Sequence, residues 1–207
     1  KALYEHEWIN GVANFLNCGF RRIHSNRYVT MTTPVGLNVP YIDDYSAGIA
    51  LRISKDERVF RNIFEKRYMS SPYPVFSIGA SYGWAKINNI STTYCRVEAA
   101  LKYDLKIPPI GYSEIMLQGG KLFGKVPYPL LKLHEGNGTY FYDKYAFSCM
   151  NFYEFASDAW VSLFYEHHFN GWILGRIPLL KKLKWREVVT CKCVWGTLEN
   201  RNNGSLA

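Results

Sequence analysis

The sequence predicts an all-β, antiparallel protein, and three features of the chain support this fold class. Apolar and polar residues alternate with a period of two along several segments, which is the pattern of strands with one apolar and one polar face. Segments rich in proline, glycine and asparagine separate them, as is typical of turns. No convincing amphipathic helix and no run of about 18 apolar residues occurs, which argues against membrane-spanning helices in these residues.

Three segments alternate most clearly and are predicted as the longest strands. They exceed the strands of about 5–6 residues that are usual in globular proteins, and they approach the roughly 9–11 residues of a transmembrane strand. Their apolar positions are Tyr45, Ala47, Ile49, Leu51 and Ile53 in the first segment, Phe76, Ile78, Ala80, Tyr82 and Trp84 in the second, and Cys95, Val97, Ala99, Leu101, Tyr103 and Leu105 in the third.

Weaker alternation predicts six further strands, with turn chemistry between them. The predicted turns are a polar one at 85–92, a proline-rich one at 106–111 and a short reversal at 157–158. The six strands are predicted at residues 8–20, 58–68, 112–123, 147–155, 159–170 and 185–196.

Two all-β architectures produce such alternation. A soluble sandwich packs one face of each sheet on a dry core, whereas a membrane barrel turns its apolar face to lipid and its polar face to the lumen. The polar positions here are glycine and serine on one strand and charged residues on another. Small residues leave lumen space and mixed charges suit a wet interior, so the pattern favours an antiparallel transmembrane β-barrel.

The composition is compatible with a membrane surface. The chain of 207 residues contains 16 Tyr, 12 Phe and 6 Trp, and its net charge is +8. Tyrosine and tryptophan suit surfaces that are apolar on one side and wet on the other. The positive charge suggests an acidic partner, such as nucleic acid, anionic lipid head groups or lipopolysaccharide phosphate, or else a basic soluble surface. The five cysteines fit no zinc or disulfide framework, and Cys191 and Cys193 are expected to share one strand face.

No residues form a recognisable catalytic or metal-binding motif, so the sequence predicts no enzyme, no cofactor and no metal. Glu166, His167 and His168 are consecutive, but neighbouring strand residues point to opposite faces, so the two histidines would not share one ion. A hydrolase that uses Glu166 with a histidine is kept as a remote alternative. A basic segment at 176–187 is interpreted as a membrane-proximal loop and not as a nucleic-acid site.

Residues 118–190 carry a family resemblance. The stretches QGGKLFGKVPYPLLKLHEGNGTYFYDKYAFSCMNFYEFASD and FYEHHFNGWILGRIPLLKKLKWREVV resemble an uncharacterised family of Gram-negative outer-membrane proteins. Its members join an N-terminal carboxypeptidase-regulatory-like domain to a C-terminal barrel. That barrel is distantly similar to the bacterial surface-antigen barrels of barrel assembly and two-partner secretion. The resemblance implies that residues 1–207 are part of a barrel of about sixteen strands, with the regulatory-like domain and the closing strands absent from this chain.

The resemblance also assigns a role to a long apolar loop predicted at residues 124–146. In surface-antigen barrels, a loop at this position folds into the lumen, and its Arg-Gly-Phe/Tyr motif pairs with an acidic residue on the returning strand. This sequence has Lys132, His134 and Glu135 where an Arg-Gly pair would be expected. Glu166 is the nearest candidate for the acidic partner. The loop is therefore predicted to act as a plug, with these four residues as its candidate contacts.

The expected function is that of a non-enzymatic protein of the cell outer membrane, with a structural, transport or assembly role. The protein would act alone or as a subunit of a larger outer-membrane complex. The expected partners are outer-membrane lipid, lipopolysaccharide and other outer-membrane or periplasmic proteins, and not nucleic acid. The alternative is a soluble β-sandwich module that binds glycan or protein through exposed tyrosine and tryptophan.

Overall fold

The structure is a computed structural model, and it describes residues 1–8, 11–25, 31–32, 36, 38–62, 66–69, 71–88 and 90–202. All pairs of named strands are antiparallel, which confirms the predicted all-β, antiparallel class. Within the described residues the strands are β1 Ala2–Glu7, β2 Val12–His24, β3 Tyr41–Ile53, β4 Val59–Arg61, β5 Lys66–Tyr68, β6 Val75–Ile87, β7 Ile90–Ile107, β8 Gly111–Gly124, β9 Lys132–Leu133, β10 Ala156–Ser157, β11 Ala159–His168 and β12 Val188–Thr197.

Helical structure is limited to short turns in two loops. Two 3-10 helices, Tyr128–Leu130 and Leu174–Arg176, and one α-helix, α1 at Pro178–Lys181, are present in the described part of the chain. Among the residues that the structure describes, no helix has the length and apolar character needed to cross a bilayer.

One large sheet contains most of the strands. Its eight strands follow the order β1-β2-β3-β6-β7-β8-β11-β12, and two small ladders, β4–β5 and β9–β10, lie outside it. In the described residues β1 and β12 are the two edges of this sheet, so no closed barrel is observed there. That these residues form part of a barrel of about sixteen strands remains a prediction. Each strand pairs with the next strand of the sheet along the chain, which makes the sheet an antiparallel meander.

The clearest strand predictions are confirmed. The segments with regular alternation form β3, β6 and β7, and the predictions at 112–123 and 159–170 correspond to β8 and β11. The proline-rich turn is also confirmed, because β7 ends at Ile107 and β8 begins at Gly111. Long alternating strands can pair over their whole length, which is why the pattern located them reliably.

Other strand predictions need correction. The strand predicted at 147–155 is wrong: these residues form turns and bends. The prediction at 58–68 becomes the short strands β4 and β5, and residues 63–65 between them lie outside the described part. The prediction at 8–20 is displaced to β2, and β1 was missed. Aromatic residues are common in strands, and the aromatic run in 147–155 caused the first error.

The large sheet has two chemically different faces. Register across β3, β6 and β7 aligns Ile49, Ala80 and Val97 on one face. We call this the apolar face; on β6 it consists of Phe76, Ile78, Ala80, Tyr82 and Trp84. We call the opposite one the polar face; on β6 it consists of Ser77, Gly79, Ser81 and Gly83, and in-register residues of the neighbouring strands continue it.

The buried apolar cluster lies on the polar face, at the end where β3 begins. Ile42, Ala85 and Leu122 belong to three strands of the sheet and are fully buried. Loop residues cover them from above, so this core is formed between the sheet and its loops. The members of the cluster are Met31, Val39, Ile42, Ala85, Tyr94, Leu122, Val126, Leu130 and Leu131.

Candidate functional site

The polar face carries a long loop, which we define as residues 125–158 and which contains β9 and β10. On β11, the polar-face residues Trp160, Ser162 and Phe164 are buried, whereas Val161 on the apolar face is 46% exposed. The phenyl rings of Phe147 and Phe164 lie 5.0 Å apart. The loop therefore covers the sheet on its polar face, which is the feature that positions the candidate site.

An acidic pair lies under this loop. Glu114 on β8 and Glu166 on β11 are directly opposite each other in the register, so their side chains share the polar face. Lys144 of the loop lies between them: its Nζ donates a hydrogen bond to Glu114 and lies 3.6 Å from Oε1 of Glu166. Tyr142 donates its hydroxyl hydrogen to Oε2 of Glu166 at 3.0 Å. The loop thus binds both carboxylates.

His168 completes this group, with Nε2 2.6 Å from Oε1 of Glu166. Ligand atoms of Glu114, Glu166 and His168 all lie within 4.8 Å of one another, a spacing that could hold a metal ion. The ammonium group of Lys144 already supplies the positive charge that these carboxylates require. We therefore describe the group as an acidic cluster, made of these three residues, that is bridged by a lysine.

The acidic cluster also stabilises the charge of the lysine. Burial opposes the charged form of Lys144, but the hydrogen bond to Glu114 and the charges of Glu114 and Glu166 outweigh it, and the pKa of Lys144 is raised. The lysine is consequently protonated across the physiological pH range. Two carboxylates facing each other would repel without it.

Two further cations bind the backbone of the long loop. Lys192 on β12 donates hydrogen bonds to the carbonyl oxygens of Asp143 and Ala146, at 2.6 and 2.8 Å. Arg96 on β7 donates from Nη2 to the carbonyl oxygen of Leu130 at 2.5 Å. The loop is therefore attached to β7, β8, β11 and β12 by charged side chains on the polar face.

The two ends of the long loop are joined through Asn202. The amide oxygen of this residue accepts a hydrogen bond from the Val126 N–H at 3.1 Å, and its Nδ2 donates to Oδ2 of Asp158 at 3.4 Å. Asp158 is fully buried, and the same oxygen also accepts from the Glu199 N–H at 2.9 Å. These bonds hold the start and the end of the loop together beside the end of β12.

The loop residues named from the sequence lie elsewhere. Lys132 and Glu135 form an ion pair of 2.8 Å with each other at the surface of the loop. His134 is buried, with Nε2 2.9 Å from the hydroxyl oxygen of Ser157. None of these three contacts Glu166 in the described structure, so they are not the loop partners of that carboxylate.

Burial lowers the pKa of His134 below its usual value of 6.5, and the charge of Lys132 lowers it further, while Glu135 acts in the opposite direction. Its Nδ1 is buried and has no hydrogen-bond partner among the described residues. A proton on this nitrogen would be a buried, unpaired donor, which is unfavourable. The structure therefore holds His134 in its neutral form.

Glu166 was named from the sequence as the candidate acidic partner of the loop. It projects from the polar face and contacts loop residues Lys144 and Tyr142. Those two partners were missed, because no local pattern distinguishes Lys144 from the other lysines of the loop. Lys144 does lie in an aromatic stretch, YFYDKYAF, but this composition does not indicate a carboxylate partner.

The expectation that His167 and His168 point to opposite faces is confirmed. His168 contacts Glu166 on the polar face, whereas Nδ1 of His167 lies 2.7 Å from the Ser113 hydroxyl oxygen on the other face. Cys191 and Cys193 share a face, with their sulfur atoms 3.9 Å apart. Both observations follow from the period of two in a strand.

The comparisons with known proteins give a family and no activity. The chain has no match among curated proteins or solved structures. Residues 17–201 match the model described as "Family of unknown function (DUF5686) C-terminal domain". This description names neither a location nor an activity, so the resemblance to outer-membrane and surface-antigen barrels remains a prediction. Because the match covers most of the 207 residues, the chain belongs to the DUF5686 C-terminal domain family.

Proposed function

We propose that this chain forms part of a transmembrane β-barrel in the cell outer membrane, with its apolar face towards lipid and the long loop packed on the lumen side. Its role is structural, or lies in transport or assembly at that membrane, alone or as a subunit of a larger complex. The observation that carries the proposal is the reversed arrangement of the sheet: the polar face is covered and the apolar face is exposed.

The exposed apolar face is the first support. On β6, Phe76 is 51% exposed, Ile78 54% and Tyr82 59%. A sheet in water gains stability by burying such residues, roughly 1.5–3 kcal/mol for each large apolar side chain. A soluble sheet would therefore have covered this face and left the polar one in solvent. In a membrane the apolar face would contact lipid and not water, so its exposure from the protein would be favourable.

The order of residues towards one end of the sheet is the second support. On the apolar face Phe20, Tyr45 and Trp84 are in register across β2, β3 and β6, and the ring centroids of Tyr45 and Trp84 lie 5.8 Å apart. Aromatic rows of this kind occur where a barrel meets the membrane–water boundary.

The next row outward is charged. Arg22, Asp43 and Lys86 are in register on the same face, and Nε of Arg22 lies 2.6 Å from Oδ1 of Asp43. The sequence of aliphatic, aromatic and then charged rows is what a strand leaving a bilayer requires. Lys121 is a charged residue within the aliphatic rows of this face, in register with Val97. Its side chain extends past the Phe123 ring to within 3.4 Å of Glu199, as lysines near an interface commonly do.

The long loop supports a place inside a barrel. Its bonds to the acidic cluster and its packing on Phe164 keep it on the polar face. A loop that crosses the lumen restricts the passage of solutes, which agrees with the predicted plug. The partners that follow from the proposal are membrane lipid, lipopolysaccharide and other envelope proteins.

The hydrolase alternative is not adopted. Glu166 and His168 are hydrogen-bonded, but Lys144 and Tyr142 also bind the same carboxylate. A carboxylate with this many structural partners is poorly suited to act as a base. The acidic cluster is therefore assigned to attachment of the loop.

Fractionation of the host cell tests the proposal. We expect the protein in the outer membrane, extracted by detergent only, and migrating differently on a semi-native gel before and after boiling. A protein that remains in the soluble fraction and shows no such shift would overturn the proposal. The soluble module that binds glycan or protein would then be the better account.

A further inference from the structure

The connection between β11 and β12 combines positive charge with exposed apolar side chains. We call it the basic loop, residues 169–187; it contains α1. Leu179 is 77% exposed and Trp185 59%, and Ile173, Ile177 and Leu183 are each about half exposed. The cations of the loop are Arg176, Lys181, Lys182, Lys184 and Arg186.

The only acidic side chain of the basic loop is used internally. The carboxylate of Glu187 accepts hydrogen bonds from the backbone N–H groups of Leu174 and Gly171, the latter at 2.9 Å. Its backbone oxygen accepts from the Phe169 N–H at 3.0 Å. The pKa of Glu187 is lowered, first by the Leu174 N–H and with smaller contributions from other backbone donors. The turn around Gly171 is therefore folded about this carboxylate.

The lysines of the basic loop are not neutralised by carboxylates in the part of the chain that the structure describes. Within the described structure no carboxylate forms an ion pair with Lys181, Lys182 or Lys184, and all three are exposed. Arg176 lies over the Trp172 ring at 4.2 Å, and Arg186 donates to the side-chain oxygen of Asn170 at 3.3 Å. The loop thus presents unneutralised positive charge beside exposed leucine and tryptophan.

The position of the loop follows from the two strands that it joins. β11 ends at His168 and β12 begins at Val188. Val188 and the apolar-face residue Val189 are both exposed, so the exposed apolar surface of β12 begins directly after the loop. If these strands span the membrane as proposed above, the loop lies where they leave the bilayer.

We propose that the basic loop docks on the membrane surface and binds the phosphates of anionic lipid head groups. This inference rests on the proposed function. Leucine and tryptophan side chains would enter the boundary between head groups and acyl chains, and the lysines would contact phosphate. Charge complementarity favours this occupant. An acidic protein or nucleic acid would match the charge but would leave the aliphatic side chains exposed.

The test uses the full-length protein reconstituted in vesicles of phosphatidylcholine, with and without phosphatidylglycerol. Lipids brominated near the head group quench nearby tryptophans, and a W185F variant isolates the signal of Trp185. We expect quenching of Trp185 to increase with the fraction of phosphatidylglycerol. Each basic residue near an anionic surface strengthens binding by roughly fivefold, so K181E/K182E/K184E should need a several-fold greater anionic fraction for the same quenching.

A matched control is K1E/K55E/K125E, which changes the net charge equally at three exposed lysines outside the basic loop. Its Trp185 should be quenched like that of the wild type. Equal effects of both triple variants would overturn the inference, because the dependence would then reflect overall charge. An unquenched Trp185 in both lipid compositions would also overturn it, and would point to a protein partner.

Trp84 and Trp195 separate this inference from the proposed function. Trp84 belongs to the apolar face, Trp195 lies on β12, and both are exposed. The W84F and W195F variants isolate the fluorescence of Trp84 and Trp195 by difference from the wild type. Lipids brominated along the acyl chain should quench both tryptophans, with and without phosphatidylglycerol. Quenching of these two without Trp185 rejects the docking of the loop alone. The absence of all three signals rejects the membrane barrel and the inference with it.

Discussion

Lys144 places one ammonium group between two carboxylates that come from neighbouring strands. Glu114 and Glu166 face each other because the register of β8 and β11 pairs them. Their side chains are mostly covered, with 25% and 11% exposed, and the Lys144 side chain is 29% exposed. Charged hydrogen bonds in such surroundings contribute more than surface ion pairs do. This residue is therefore a strong electrostatic attachment of the long loop to the sheet.

Lys144→Met should release part of the long loop. The substitution leaves two facing carboxylates without their cation, which should weaken loop attachment by roughly 1–3 kcal/mol. Hydrogen exchange of residues 137–150 should then be faster by about one order of magnitude.

The control for this substitution is Lys132→Met, in the same loop. It removes an exposed ion pair with Glu135, and such pairs contribute roughly 0–1 kcal/mol. Similar exchange rates in the two variants would contradict the assignment of Lys144 as a strong attachment of the loop.

His134 should make the attachment of the loop sensitive to acid. Its pKa is lowered in the folded loop relative to the ordinary value of 6.5, so the released loop binds more protons as the pH falls. The stability that it contributes is complete above about pH 6.5 and is lost as the pH falls through the lower, folded value.

Hydrogen exchange of β9 and β10 at pH 7.5 and pH 5, corrected for intrinsic rates, measures this effect. Protection should decrease at the lower pH in the wild type. His134→Gln keeps a side-chain donor for Ser157 without a titratable ring, and it should remove most of the difference. A pH dependence that persists in this variant would assign the effect to another group.

At the level of single residues, Glu166 was named as a candidate acidic partner of the loop, and Lys144 was not named. The family resemblance pointed to Glu166 because it lies on the strand that returns after the long loop. Lys144 acquires its role from the path of the loop over the sheet. That path depends on contacts such as the one between Phe147 and Phe164, which join residues far apart in the chain, so local pattern could not reveal it.

On strand β6, a glycine makes room for an aromatic side chain of the neighbouring strand. Its polar face alternates serine and glycine, and the ring of Tyr94 lies directly over Gly83. The Tyr94 hydroxyl donates to Oδ1 of Asp44 at 2.8 Å, and Oδ2 of Asp44 accepts from Arg21 at 3.0 Å. Glycine at position 83 thus makes room for a ring that links β7 to β3.

Gly83→Ala should destabilise the sheet more than Gly79→Ala, which lies on the same strand and face. A methyl group at Gly83 would overlap the Tyr94 ring, whereas one at Gly79 would meet the Ala50 Cβ at an ordinary 3.4 Å. Overpacking of this kind costs about 1–3 kcal/mol. Urea midpoints of the two reconstituted variants measure it. Equal midpoints would show that Tyr94 moves aside without loss.

At the level of elements, alternation predicted the long strands because each strand has two chemically different faces. One is the polar face, which the loops cover, and the other is the exposed apolar face. The error at 147–155 arose from aromatic residues that do not pair as a strand. Phe147 is buried on the polar face, while Phe152 and Tyr153 are exposed. Sequence preference for strand was overridden here by packing of the loop on the sheet.

At the scale of the whole molecule, the distribution of apolar surface supports the proposed barrel over the sandwich, the two architectures that the sequence left open. A sandwich requires the apolar face to be covered, and in the described residues the covered face is the polar one. The aromatic row formed by Phe20, Tyr45 and Trp84 and the charged row beyond it indicate a boundary at one end of the sheet. These features depend on register between strands, which the sequence alone did not supply.

Spin-label accessibility along β6 tests the central claim most directly. Single cysteines would be placed at positions 76–84 of the reconstituted protein, after replacement of the five native cysteines by alanine. Even-numbered positions, which form the apolar face, should be accessible to oxygen dissolved in lipid and protected from a water-soluble nickel chelate. Odd-numbered positions should show low oxygen accessibility. Nickel access at the even-numbered positions, or no alternation at all, would contradict the proposal that this face contacts lipid.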